Sequence, residues 1–232
     1  MLFQHIHKKN SFAIPVDTII LNINALSLHI SNVYRNFAAI KNGNFIKANK
    51  LKNRGDIFMN GIILYQSKYG ATKRYADWLS EETGFQCIET RKADINEILK
   101  YDTVILGGGI YASGIAGLSF LKKNIRKLAG KKIIVFCCGA SPYEENAFRQ
   151  IREHNLKDNL SGLPLFYCRG AWNMDAMTFG DRTLCKLLRR ATAKKDPTDY
   201  EVWEKALMAA GDDKCDWTDK KYIEPILEYI KH

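Results

Sequence analysis

Cysteine pairs, long apolar runs and metal-ligand spacings are all missing from this 232-residue chain. Its six cysteines (Cys87, Cys137, Cys138, Cys168, Cys185 and Cys215) form no C-x-x-C pair. Most sit in apolar, strand-like runs, where a thiol behaves as a small hydrophobe. A chain of this length needs no disulfide staples, so the cysteine usage implies a reducing, cytoplasmic protein. No stretch reaches the ~18–20 consecutive apolar residues of a membrane-spanning helix. The run near Ile19–Ile30 is broken by Asn22, Asn24, Ser27 and His29. No small-residue cleavage signal follows it, so no secretory peptide is read. No His/Cys/Glu cluster has metal-site spacing. What is present, 46% hydrophobic residues, supplies a core for one ordinary α/β domain and something extra.

A net charge of +10 first suggests nucleic acid or an anionic surface, but the charge is unevenly placed. Residues 1–58 hold eight Lys/Arg against two Asp, a net +6. They contain no Glu, Trp or Cys and show no sustained helical or alternating pattern. Met59-Asn60-Gly61 then leads straight into a strong strand. We read Met59 as the biological start and 1–58 as lying upstream of it. Arg54-Gly55-Asp56 can be encoded by a purine-rich, ribosome-site-like stretch. The alternative is a basic N-terminal extension, disordered or loosely helical. Peptides from residues 1–50 in natively expressed protein would contradict the first reading. Nucleic acid is not an expected partner.

From Met59 onward, strand-like and amphipathic helical runs alternate. Strands are expected at Ile62–Gln66, Gln86–Thr90, Thr103–Leu106, Lys132–Cys138 and Leu163–Cys168. Helices are expected near Thr72–Glu82, Ile95–Leu99, Leu118–Leu128, Glu144–Glu153, Arg182–Ala193, Tyr200–Ala210 and Lys220–Lys231. The alternation implies a parallel sheet with right-handed crossovers. Five strands suit the doubly wound order 2-1-3-4-5, with a helical insert and a C-terminal helix. Adjacent strand residues point to opposite faces, which argues against Cys137-Cys138 as a redox pair.

The chemistry is expected in the first loop, Ser67-Lys68-Tyr69-Gly70-Ala71-Thr72, which runs into a helix. N–H groups at a helix N-terminus lack internal partners, and the helix dipole favours an anion there. Ser67 and Thr72 add hydroxyls, Gly70 lets the backbone close around a phosphate, and Thr72 suits the N-cap. Ligands in such sheets lie beyond the carboxyl ends of the strands. After strand three comes Gly107-Gly108-Gly109-Ile110-Tyr111-Ala112-Ser113-Gly114, and after strand four Cys138-Gly139-Ala140-Ser141-Pro142-Tyr143. A phosphate-accepting receiver domain needs acidic residues where this chain has Gln66-Ser67 and Gly107. A dinucleotide site needs G-x-G-x-x-G where only Gly70 stands.

The stretch from Ile63 to Leu79 resembles the flavodoxin signature throughout. Aliphatic and aromatic residues are followed by Ser67, Gly70 and Thr72, then by Ala76 and Leu79 at helical spacing. That resemblance implies FMN as cofactor, with Tyr111 and Tyr143 touching the isoalloxazine ring and Gly108 and Gly139 approaching it through backbone. Gly109, Ala112, Cys138 and Ala140 complete the implied ring site. The Phe166-Tyr167-Cys168-Arg169-Gly170 run and the later basic and apolar insert resemble the branch that includes menaquinone-dependent protoporphyrinogen oxidase. For that branch the resemblance implies a quinone acceptor, a porphyrin-type substrate and a place in haem synthesis. Arg169 is a candidate anion contact. Leu184, Leu187 and Leu188 lie among Arg182, Lys186, Arg189, Arg190, Lys194 and Lys195, a composition suited to an anionic membrane surface. Three functions remain open: an electron carrier with a redox partner protein, an FMN oxidoreductase, or a flavin-less partner-binding module.

Overall fold

The computed structural model describes residues 60–232, so the expectation about residues 1–58 lies outside the described residues. Five parallel strands form the sheet: β1 (Gly61–Gln66), β2 (Gln86–Glu89), β3 (Thr103–Tyr111), β5 (Lys132–Gly139) and β6 (Leu165–Arg169). Their spatial order is β2-β1-β3-β5-β6, the doubly wound arrangement expected for five parallel strands. A short strand β4 (Gly114–Ile115) pairs antiparallel with the end of β3. Two further short strands, β7 (Ala171–Trp172) and β8 (Cys215–Asp216), pair as a separate ribbon.

Side-chain alternation divides the core into two layers. Ile62 and Leu64 of β1, Val104 and Leu106 of β3, and Val135 and Cys137 of β5 face one side. They meet α2 (Ile95–Ile98), α3 (Leu118–Asn124) and α4 (Glu145–Asn155). Ile63, Ile105, Ile134, Phe136 and Cys138 face the other. There they meet α1 (Ala71–Thr83) and α7 (Glu224–Lys231). The insert supplies α5 (Phe179–Thr192) and α6 (Val202–Ala210). Leu64 and its fully buried neighbours each contribute about 1.5–3 kcal/mol of apolar burial.

Cys137 and Cys138 thus lie on opposite faces of one strand. Burial pushes the Cys138 thiol up to about 12 and also raises Cys137 and Cys168. A thiol reacts as its thiolate. Iodoacetamide at neutral pH is therefore expected to leave these three cysteines unmodified in native protein and to label all six in denaturant. Peptide mass mapping reads the result; rapid native labelling of Cys138 would contradict it.

β3 differs from the expected strand. It runs through Gly107, Gly108 and Gly109 to Tyr111 instead of ending before them. The glycines pack within the sheet, and only Ala112 and Ser113 form the turn into β4. Both turn residues have left-handed backbones, φ 45° and 66°, the geometry a two-residue hairpin requires. Neither is a glycine, so the turn carries strain of order 1–2 kcal/mol per residue. Buried Asn155 holds it in place. Its side chain accepts from the Ile115 N–H at 2.8 Å and donates to the Ser113 carbonyl at 2.7 Å and the Ile151 carbonyl at 2.8 Å.

Candidate functional site

β1 delivers the chain to the carboxyl edge of the sheet, where Ser67–Gly70 turns it into α1. The Ser67 hydroxyl accepts from the Gly70 N–H at 3.0 Å. Gly70, at φ 95°, is the N-cap of α1, and no side chain caps this helix. The first intrahelical bond joins the Arg74 N–H to the Gly70 carbonyl at 3.0 Å. The amides ahead of it in the first turn point outward from the helix end, as an anion site needs. No acidic residue lies in that turn.

Thr72 is not the N-cap that its hydroxyl suggests. It is inside α1 and only 2% exposed, and its hydroxyl meets the Cys138 thiol. Gly70 takes the N-cap position because the chain needs a left-handed residue there to enter the helix.

The other predicted residues fall into three groups. Tyr111 joins the first loop: the Lys68 N–H donates to its hydroxyl at 3.1 Å. Its ring lies edge-on to Tyr69 with centroids 6.4 Å apart. Ala112, Gly139, Ala140 and Tyr143 line a cavity of about 860 Å³ between the β3 and β5 loops and the insert, to which no residue of Ser67–Thr72 contributes. Tyr143 is half exposed, its ring against Phe148 and Tyr167 and its hydroxyl donating to Glu145 at 2.8 Å. Gly108, Gly109 and Cys138 form the third group, turned into the protein. A Cβ on Gly108 would lie 2.1 Å from the Ala116 carbonyl oxygen, and one on Gly109 would lie 2.8 Å from the Tyr111 ring.

Asp181 and the α5–α6 wall lie outside the residues the sequence marks. Lys68 and Tyr69 both donate to the Asp181 carboxylate at the start of α5. The Lys68 hydrogen bond, then that of Tyr69, holds the Asp181 carboxyl below the usual range; the same Lys68 contact raises the lysine. α5 is thereby anchored to the first loop, and with α6 it walls the cavity through Cys185, Leu188, Trp203 and Leu207. In the sequence, Asp181 stands just ahead of the helix expected near Arg182–Ala193 and carries no signal of a partner. Arg169 stacks over the Trp217 ring at 4.3 Å, and its Nε donates to the Ala140 carbonyl at 3.3 Å. It is therefore engaged in bracing the β5 loop. Arg74 is held by Asp216 at 2.5 Å and by Thr218 at 2.6 Å.

The assembled site offers an uncapped helix N-terminus for an anion and a largely apolar cavity at the carboxyl ends of β3 and β5. Among the described residues no cluster of His, Cys, Asp or Glu is arranged to hold a metal.

The fold is that of a doubly wound α/β protein, with the switch of strand order between β1 and β3. The Flavodoxin domain family matches residues 62–200, and the chain belongs to that family. Similar solved structures include a flavodoxin of Megasphaera elsdenii, at 19% identity and TM-score 0.36, covering 46% of this chain and 82% of that one. An archaeal flavodoxin matches at 17% identity and TM-score 0.37, covering 75% and 100%. A Lactobacillus acidophilus flavoprotein in complex with FMN matches at 17% identity and TM-score 0.34, covering 48% and 92%. The family assignment stands on the domain match. No curated protein matches the sequence.

Proposed function

We propose that this chain binds FMN and moves electrons through it. The phosphate is held by the α1 N-terminus with Ser67 and Gly70. The ring lies between the Tyr111–Ser113 turn and the Gly139–Tyr143 loop. The observation that carries this reading is the uncapped, acid-free entrance of α1, opened by Gly70 at φ 95°. The donor set fits a phosphate monoester: backbone N–H groups, a serine hydroxyl and the helix dipole. FMN supplies the redox chemistry, and the protein supplies position and electrostatics. FMN is the cofactor that the L. acidophilus flavoprotein and a Fusobacterium nucleatum flavodoxin mutant carry. Titrating the protein into FMN tests the reading: flavin fluorescence should fall to a plateau at one equivalent, and an unchanged signal would sink it.

A second reading is an oxidoreductase that takes hydrogen from a small reduced compound, of porphyrinogen type, and passes it to a quinone. The cavity favours it. Its volume falls within the ~300–1,000 Å³ of small-molecule sites, and the α5–α6 insert closes one side of it. A simple carrier, which hands electrons to a redox partner protein, needs no such wall. Anaerobic mixing of the FMN-loaded protein with protoporphyrinogen separates the two: bleaching of the flavin supports the oxidoreductase, and an unchanged spectrum leaves the carrier.

A further inference from the structure

α5 turns Arg182, Cys185, Arg189 and Thr192 toward the protein and carries leucines and cations on its exposed side. Inward, Arg182 donates to the Asp175 and Met177 carbonyls, Arg189 pairs with Asp212 at 2.7 Å, and Thr192 is buried. The helix's one acid, Asp181, is spent on Lys68. Outward, Leu184 and Leu188 stand one turn apart with Leu187 beside them, 53%, 37% and 55% exposed. Arg190 stands one turn on from Leu187, Lys186 shares its row on the side away from Leu184 and Leu188, and Lys194 follows just past the helix end. These three cations have no acidic partner among the described residues, and no acid interrupts their ridge. Phe179 at the start of the helix is 87% exposed, and Trp203 of α6 is 42% exposed.

A partner for this face must accept several leucines and carry negative charge, with no need for a shaped pocket. We propose that the outer face of α5 docks on an anionic lipid bilayer. Leu184 and Leu187 enter the acyl boundary, while Lys186, Arg190 and Lys194 lie among the headgroups. An in-plane helix of this type buries its apolar side about 5–10 Å deep. Tryptophan favours the same interface, which suits Trp203. Leu188 and Trp203 also line the cavity, so docking sets its α5–α6 wall against the lipid. Among the described residues no helix is long and apolar enough to cross a membrane; the contact is peripheral. It does not depend on what Ser67–Thr72 binds, so each proposal stands or falls by its own measurement.

The test is co-sedimentation of the full chain with phosphatidylcholine vesicles, with and without about three parts in ten phosphatidylserine. The wild-type chain should bind the anionic vesicles, bind the neutral ones far more weakly, and release as salt screens the charges. The K186Q/R190Q/K194Q variant should bind about 10²-fold more weakly, since each basic residue near the surface contributes about fivefold. The L184S/L187S variant should lose binding while keeping its denaturation midpoint, because both side chains are exposed. Absence of wild-type binding would overturn the proposal and turn attention to an acidic protein partner. Wild-type-like binding by both variants would also overturn it, placing the contact on residues 1–58 with their net +6.

Discussion

Gly108→Ala is expected to lower the unfolding free energy by about 3 kcal/mol, at the upper end for overpacking a core. The added Cβ would sit 2.1 Å from the Ala116 carbonyl oxygen and 2.6 Å from the Ile115 side chain. The first of these is backbone, which cannot rotate away. Nor can it easily retreat: the Ala116 N–H donates to the Gly109 carbonyl at 2.9 Å, and the Ile115 N–H is held by buried Asn155. Relief requires peeling β4 from β3 and leaving those groups unpaired. Gly162→Ala is the control, because nothing lies within 4 Å of its Cβ; it should move stability by no more than about 0.5 kcal/mol. Urea unfolding of the three proteins measures both values. Equal midpoints for the two variants would show that the sheet does not need Gly108 bare.

Gly70→Val is expected to leave the fold standing while weakening FMN binding by at least about tenfold, and riboflavin binding hardly at all. Nothing lies within 4 Å of a Cβ at Gly70, so the first added carbon has open space. The backbone is the difficulty. At φ 95° a β-branched residue is a strong outlier, and the left-handed region costs a non-glycine residue about 1–2 kcal/mol. Valine pulls the turn toward negative φ and swings the amides at the α1 entrance off the phosphate. Each hydrogen bond to a charged group contributes about 1.5–3 kcal/mol, so losing one is a tenfold effect or more. Riboflavin has no phosphate to lose. Parallel fluorescence titrations with both flavins read this directly, and an equal loss for both would place the phosphate elsewhere.

β1 and α1 were readable in the sequence to within a residue or so. An unbroken aliphatic run and a 3.6-residue apolar spacing are local signals, and both elements bury the residues those patterns mark. β3 was not readable to its end. Three successive glycines look like a loop, yet these sit in a strand because Phe136, Ala116 and the Tyr111 ring press against them. That reason is tertiary and leaves no local trace. The N-cap position is hidden for a related reason: hydroxyl residues such as Thr72 favour N-caps, but the left-handed entry takes Gly70. The anchor from Lys68 to Asp181 spans 113 positions and has no pattern at either end. The two-residue strands β7 and β8 are too short to show an alternation.

The central claim is tested most directly by the visible absorption spectrum of the chain, purified in the dark, before and after addition of FMN. A bound-flavin band near ~450 nm, retained through gel filtration, is the predicted result. A folded protein that passes through gel filtration colourless, even after incubation with excess FMN, would contradict it.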